Sequence, residues 1–384
     1  MERDIKGPLA QVFSFPFRTY AEVSLGALVR NIAELRKQSG REVIAVIKAN
    51  AYGHGLVPVA KAVVTKAQCQ TLAVAILEEA VEVRQALHRH SRLEILVLSG
   101  FYVHQLDAYR KYHLLPVVHS LHQVIALAKT PKLPPLHLKV DTGMHRLGIA
   151  PKELGEVVSV LRKNHLKLAG VMTHFADADN RRSLFCDEQL RSFAEAVAYL
   201  RAEGVVATDA LIHCANTAAI LRGKMSPFCN AVRPGIGIYG VQPDGLSQSS
   251  LALSPVLDWK ARVVCLKSVP AGETIGYGRQ YKILQDTTLA VLPVGYGDGL
   301  PRLINQGYVL IQGHKVPLRG RVSMDLISVD CAGLPGVKEG SLAVLLGRSG
   351  AETLSADHWA HWSRTISYDV LCALAPRVPR LYLE

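Results

Sequence analysis

The chain has 384 residues, of which 49% are hydrophobic and 20% charged, and its formal net charge is +12. This composition is typical of a globular protein with a sizeable core. The positive charges are scattered and no nucleic-acid recognition motif accompanies them, which argues against a nucleic-acid partner and favours small anionic ligands.

The cysteines and the N-terminal sequence indicate where the protein works. Seven cysteines lie far apart without a CxxC pair, which argues against a disulfide framework and against a zinc or other metal site. The opening stretch MERDIKGPLAQVFSFPF carries acids and prolines and does not resemble a signal peptide. No run of about 18 apolar residues is available to span a membrane. We therefore expect a soluble cytoplasmic protein without a membrane partner.

Residues 1–42 contain a strand and a helix, and from residue 43 to about 240 strand-like runs alternate with helical patterns. The eight strand-like runs are VIAVIK (43–48), TLAVAI (71–76), EILVLS (94–99), LLPVVHS (114–120), LHLKVDT (136–142), LAGVMTHFA (168–176), ALIHCAN (210–216) and NAVRPGIGIYG (230–240). Continuous apolar strands separated by helices indicate a parallel sheet, and eight is the number that closes a (β/α)8 barrel. A doubly wound sheet is the alternative.

After about residue 250 the pattern changes to short alternating strands broken by glycine and proline, such as TTLAVLPVGYGDGLPR. This pattern predicts a mostly β domain. The first strand of the chain is left over once the barrel strands are counted, so we expect it to pair with the C-terminal domain. The predicted organisation is an N-terminal strand and helix (1–42), a (β/α)8 barrel (43–245) and a β domain (246–384).

Polar and ionisable groups stand where the predicted barrel strands end, which is where barrel enzymes place their active sites. These groups are Lys48, Lys139, Asp141, Arg146, His174, Asn216, Thr217 and Arg233. A lysine desolvated in a pocket loses its proton more readily and forms a Schiff base, which suggests pyridoxal phosphate. The alternative for Lys48 is a solvated charge.

The end of the last predicted barrel strand has the residue types that a phosphate group needs. Thr217 offers a hydroxyl, and the Pro-Gly-Ile-Gly stretch of 234–237 offers backbone N–H groups that a ligand can approach closely. A plain strand-end turn explains the glycines equally well.

Several stretches resemble the landmarks of the alanine racemase family in their usual order, from about Tyr20 to beyond Tyr368. They are AVIKANAYGHG, HLKVDTGMHRLG, THFA, HCANTAAILR, NAVRPGIGIYG, GYGRQY, VGYGDGLPR, GRVSMDLISVD and TISYDV. The resemblance implies a fold type III pyridoxal 5'-phosphate enzyme that interconverts L- and D-alanine and supplies D-alanine for peptidoglycan. It also implies a barrel followed by a β domain, in a head-to-tail homodimer with shared active sites.

The resemblance implies two catalytic bases. Lys48 would carry the cofactor as a Schiff base and act on one face of the substrate, and Tyr277 of the second subunit would act on the other. Arg233 would face the pyridine nitrogen. Because a guanidinium stays charged and cannot accept a proton, the ring would be a weaker electron sink.

The remaining roles also follow from the resemblance. Arg146 would lie near the cofactor's phenolic oxygen and the substrate carboxylate, and Lys139 would be carbamylated and orient Arg146. The other cofactor-binding residues would be Tyr52, His174, Asn216, Thr217, Gly235, Ile236 and Tyr368. Met324 would offer its backbone N–H to the substrate, and Tyr296 would narrow the entrance. Asp325 and Arg321 would gate the entrance or support the residues that contact the substrate. The alternatives are that His174 is purely structural and that Asp325 and Arg321 are solvated turn residues.

Only one departure from the family pattern bears on local geometry. His145 stands where glycine is common, and it places a bulky ring beside Arg146.

Three alternative functions differ from the alanine racemase prediction. A fold-type III decarboxylase would pair the pyridine nitrogen with an acid, where this chain has Arg233. A single-barrel cofactor carrier would lack the β domain. A racemase of broader specificity, toward serine or lysine, stays open.

Overall fold

The computed structural model describes residues 17–132, 134–243, 246 and 251–384. The chain forms two compact units, one comprising residues 27–254 and the other residues up to 26 together with 255–384. The boundaries at 42/43 and 245/246 remain our proposal for the ends of the domains. No helix in the described ranges has both the length and the apolar character needed to cross a bilayer.

Residues 27–254 contain a closed barrel of eight parallel strands, which confirms the predicted fold. The strands are Glu42–Val46, Thr71–Val74, Glu94–Val97, Leu115–Val118, His137–Lys139, Leu168–Met172, Val206–His213 and Ala231–Val232. The first and last strands pair with each other, Val43 with Val232, so the sheet is not an open doubly wound one. The α-helices among the described residues of this part are Leu25–Ser39, Leu56–Thr65, Leu77–Ala86, Leu106–Lys111, Leu121–Ala128, Leu154–Lys163, Phe185–Ala202 and Thr217–Leu221, and Lys48–Tyr52 forms a left-handed turn.

Burial explains why the apolar runs form the barrel. All four residues of Thr71–Val74 and of Leu115–Val118 are buried, because each strand packs against the barrel interior on one face and against helices on the other. The predicted runs extend too far, however, since the ladder ends at Val46, Lys139, His213 and Val232. The polar residues beyond these points lie in turns and in the first residues of helices, which places them at one end of the barrel.

The second unit is mostly β, also as predicted. Its main sheet has the order Cys265–Val269, Thr287–Leu292, Ile327–Asp330, His314–Arg319, Tyr308–Ile311, Leu342–Ser349, Leu257–Arg262, Thr19–Ser24 and Arg380–Leu383, and Glu352–Leu354 pairs beside it. Strand Thr19–Ser24 thus pairs with two strands of the C-terminal sequence, antiparallel to Leu257–Arg262 and parallel to Arg380–Leu383. A small hairpin, Thr274–Ile275 with Tyr281–Lys282, and the helices Ala356–Ser363 and Ser367–Cys372 also belong to this unit.

Candidate active site

Lys48 begins a left-handed turn directly after the first barrel strand. The next four residues, 49–52, have φ angles of 52° to 53° although none of them is glycine. This conformation costs about 1–2 kcal/mol per residue. Side chains hold the turn in place: Glu79 accepts the N–H of Asn50 at 3.4 Å, and the Asn50 side chain accepts the N–H of Leu56 at 2.8 Å. Backbone strain of this kind persists where the surroundings enforce it, as they do at functional sites.

Arg233 lies inside the barrel and is only 3% exposed. Its guanidinium donates to Nδ1 of His213 at 2.6 Å and to the carbonyl oxygens of His213, Thr173 and Cys214 at 2.8, 2.6 and 3.1 Å. It also lies 3.3 Å from Nδ1 of His174. Burial lowers the pKa of Arg233 to about 10, so the group remains a cation at neutral pH.

Two histidines that were not among the predicted site residues, His213 and His137, extend this network. Nδ1 of His213 accepts from Arg233, so the ring proton must sit on Nε2, which lies 3.1 Å from Nδ1 of His137. Burial lowers the pKa of both rings, and the charge of Arg233 lowers it further. The pKa of His213 is well below 6.5, and that of His137 is about 3. Strand alternation was an available signal, because His137 stands two residues before Lys139 and shares its strand face.

Positive charge accumulates at this end of the barrel. The pKa of Lys139 is lowered to about 8, mainly by burial. The positive charges of Arg233, Arg146 and Lys48 lower it further. The pKa of His174 is well below 6.5, first through burial and then through Arg233 and Lys139. The barrel therefore brings four predicted cations and a neutral histidine within electrostatic reach of one another, an environment that suits an anionic ligand.

Asp141 is the acid of this region, and its carboxylate is directed at the backbone. One oxygen accepts the N–H groups of Gly143, Met144 and His145 at 3.0, 3.0 and 3.1 Å. Burial raises the pKa of Asp141, but these bonds outweigh that effect and lower it. His145 has a φ of 53°, which explains why glycine suits this position, and its imidazole is exposed.

Thr217 and the glycines after the last barrel strand form a close-packed cradle. The Thr217 hydroxyl accepts the N–H groups of Gly235 and Gly237, each at 3.1 Å. A Cβ atom on Gly235 would lie 2.4 Å from the hydroxyl oxygen of Tyr52, so a side chain at this position would displace the Tyr52 phenol. Ile236 begins the 3-10 turn Ile236–Tyr239, while the Asn216 side chain caps helix Thr217–Leu221 by accepting the N–H of Ala219 at 3.0 Å. The hydroxyl groups of Thr217 and Tyr52 lie beside a glycine-containing backbone, and such a place suits a phosphate group. Lys48 suits the aldehyde of pyridoxal phosphate, and Arg233 suits its ring nitrogen.

Two predicted residues of the second unit lie on adjoining loops. The N–H of Tyr296 donates to the carbonyl of Ser323 at 3.0 Å, and the N–H of Gly297 donates to that of Met324 at 2.9 Å. The Met324 side chain is exposed. Beside it, Asp325 forms an ion pair with Arg377 at 2.7 Å, so the carboxylate is engaged rather than simply solvated.

The other predicted residues of this unit lie on three separate elements. Tyr277 begins the 3-10 turn Tyr277–Arg279, in which Gly276 and Gly278 have φ angles of 66° and 73°, and its side chain is 71% exposed. Arg321 follows close by in space, since its backbone nitrogen lies 3.8 Å from the Cβ position of Gly276, and its Nε is buried without a described partner. Tyr368 lies in helix Ser367–Cys372 and is half-buried.

Comparison with known proteins gives consistent matches over most of the chain. Residues 23–243 match the family model "Alanine racemase, N-terminal domain", and residues 256–382 match "Alanine racemase, C-terminal domain". An alanine racemase of Halothermothrix orenii is 41% identical over 372 residues, 95% of this chain and 96% of that protein.

Solved structures agree. The alanine racemase of Bacillus anthracis with bound L-Ala-P has a TM-score of 0.87 and 33% identity, covering 97% of this chain and 96% of its own. That of Bartonella henselae with covalently bound pyridoxal phosphate has a TM-score of 0.86 and 29% identity, covering 96% of this chain and 100% of its own.

Proposed function

The chain belongs to the alanine racemase family, and from this premise we propose that it interconverts L- and D-alanine with pyridoxal 5'-phosphate bound in the barrel. The observation that carries the proposal is the arrangement inside the barrel: a lysine on a strained turn, a buried arginine and a glycine cradle on one end of the same eight strands. Each of the three meets a different need of the cofactor.

The alternatives fit less well. A decarboxylase of this fold would place an acid where Arg233 lies, and the surroundings of Arg233 consist of carbonyl oxygens and histidine nitrogens. A single-barrel cofactor carrier has no counterpart of residues 255–384, which form a unit of their own here. No observation favours a racemase of serine or lysine.

We assign the cofactor contacts as follows. Lys48 would hold the cofactor covalently, while Thr217, Gly235, Ile236, Tyr52, Asn216 and Tyr368 would hold its phosphate. When bound, the cofactor withdraws electrons and so makes the α-hydrogen of the substrate acidic. Arg233 would face the ring nitrogen, and it would leave that nitrogen unprotonated because a guanidinium has no proton-accepting lone pair. His213 and His174 fix the guanidinium from two sides.

The chain's own residues would move the proton. Racemisation needs one base on each face of the substrate, and Lys48 and Tyr277 have the residue types for the two roles. Arg146 would bind the substrate carboxylate with the N–H of Met324, and Tyr296 would restrict the entrance. Lys139, whose pKa is lowered to about 8, would carry a carbamate and orient Arg146.

We further propose a homodimer in which Tyr277 enters the active site of the partner subunit. Its exposed phenol on a glycine-flanked turn supports this role. The inactive variants Lys48→Ala and Tyr277→Phe, unfolded and refolded together in equal amounts, should regain about a quarter of wild-type activity, because half of the dimers are mixed and each has one intact site. Each variant refolded alone serves as the control. Absence of recovery at any ratio would count against shared sites.

The decisive test of the function is D-alanine formation from L-alanine by the purified protein, before and after removal and restoration of the cofactor. L-serine and L-lysine are tested in parallel. We expect cofactor-dependent racemisation with the highest kcat/KM for alanine. A higher kcat/KM for serine or lysine would replace the proposal by the broader racemase. If alanine is the substrate, the product supplies D-alanine for peptidoglycan, in keeping with the cytoplasmic location that we propose.

A further inference from the structure

A cavity lies in the barrel unit, at the opposite end of the strands from Lys48. It has a volume of about 780 Å³ and is bordered by the residues that precede or begin strands Glu94–Val97 and Leu115–Val118. Its charged lining residues include Arg84, Arg92, Arg110, Lys111 and Lys132, against the single carboxylate of Glu94. We call this cavity the basic cavity.

Most of the cationic side chains that line the basic cavity form no ion pair with a described carboxylate. Arg110 pairs with Asp107, and Glu94 accepts the hydroxyl of Thr71 at 3.1 Å. Within the ranges that the structure describes, no carboxylate forms an ion pair with any of the remaining cations, Arg84, Arg92, Lys111 and Lys132. Four cations against the one carboxylate of Glu94 leave three positive charges uncompensated.

Arg84 distinguishes this cavity from an ordinary solvated basic surface. Its guanidinium is half-buried and donates to the carbonyls of Leu93, Tyr112 and His113 at 2.7, 3.0 and 3.1 Å. These bonds tie together the two loops that border the cavity, but neutral carbonyls do not cancel the charge. Burial lowers the pKa of Arg84 below its usual value. A half-buried cation without a counter-ion is unfavourable, and an anion in the cavity would compensate it.

We propose that the basic cavity binds a small organic polyanion that carries two or more phosphate groups. Three uncompensated charges match a diphosphate better than a single phosphate or carboxylate. The volume exceeds the needs of an inorganic ion, and the apolar side chains of Leu93, Leu115 and Pro134 offer a surface for an organic part. This site is separate from the cradle of Thr217 and Gly235, which lies at the other end of the barrel strands, and it does not depend on the proposed reaction.

The test is isothermal titration of the holoenzyme, with its cofactor bound, using ADP, pyrophosphate and inorganic phosphate as probes. We expect ADP and pyrophosphate to bind more tightly than phosphate, with affinity that falls as salt is raised. The double variant Arg92→Gln/Lys132→Gln should weaken ADP binding by about tenfold or more, since it removes two charge-assisted contacts. Alanine racemisation without the probe should stay at the wild-type value in this variant.

The matched control is Lys163→Gln/Arg201→Gln, which removes the same number of charges from exposed positions of the barrel unit that line neither this cavity nor the one beside Arg36 and Arg41. It should leave the ADP affinity unchanged. Three results would overturn the proposal: no binding of ADP or pyrophosphate, equal affinity in the cavity variant and the wild type, or an equal loss in the control variant. The last result would show that net charge, and not the cavity, attracts the probe.

Discussion

The left-handed turn after Lys48 makes a quantitative prediction for Ala49→Gly. Ala49 is exposed and has a φ of 53°, so removal of its methyl group leaves no cavity and relieves steric strain. The strain amounts to about 1–2 kcal/mol, and the greater freedom of glycine in the unfolded chain takes back about 0.4–1 kcal/mol. The net expectation is a stabilisation of about 0.8 kcal/mol, within a range of about 0–1.6 kcal/mol. Racemase activity should fall, since a more flexible turn positions Lys48 less well.

The assay is urea denaturation at fixed cofactor saturation, followed by circular dichroism, together with the rate of racemisation. Ala198→Gly is the matched control, because Ala198 is exposed within helix Phe185–Ala202, where glycine costs about 1 kcal/mol. The two variants should therefore shift the urea midpoint in opposite directions. A destabilised Ala49→Gly variant would refute the claim that the turn is strained at this residue.

Arg233→Gln should lower the free energy of unfolding by about 2–4 kcal/mol, since it leaves buried carbonyls without donors; an unchanged urea midpoint would contradict this. Burial lowers the pKa of His137 to about 3, so the folded state holds this ring neutral. The resulting contribution to the free energy of unfolding is fully present above about pH 6.5 and is lost as the pH falls toward 3. His137→Gln should accordingly show a shallower fall of melting temperature between pH 6.5 and 4, and an identical slope would show that His137 does not contribute. In bicarbonate buffer, native mass spectrometry of the wild type should show the added mass of one CO2 per chain, and the Lys139→Arg variant should lack this adduct. An equal amount of adduct in both proteins would show that Lys139 is not the carbamylated residue.

The sequence predicts the fold well because burial and periodicity are local signals. Apolar runs such as TLAVAI and the helical patterns between them identify the barrel without knowledge of contacts. The ends of the strands are less well predicted, since the point at which the ladder stops depends on backbone angles. The stretch Lys48–Tyr52 shows this, because it contains no glycine and nevertheless turns left-handed.

The candidate site is predictable in part for the same reason. Polar residues at strand ends, such as Lys48 and Arg233, stand out in an apolar sequence. The contact between His213 and His137 is not predictable in this way, because it joins residues 76 positions apart along the chain, although strand alternation places His137 on the same face as Lys139. The basic cavity is likewise invisible in the sequence, since only the topology gathers cations that are spread between Arg84 and Lys132.

The attachment point of the cofactor tests the central claim most directly. The holoenzyme is reduced with borohydride, digested and mapped by mass spectrometry. A phosphopyridoxyl group should be found on Nζ of Lys48, at the start of the strained turn. Its presence on another lysine, such as Lys139, or its absence from every peptide of the active enzyme, would contradict the proposed mechanism.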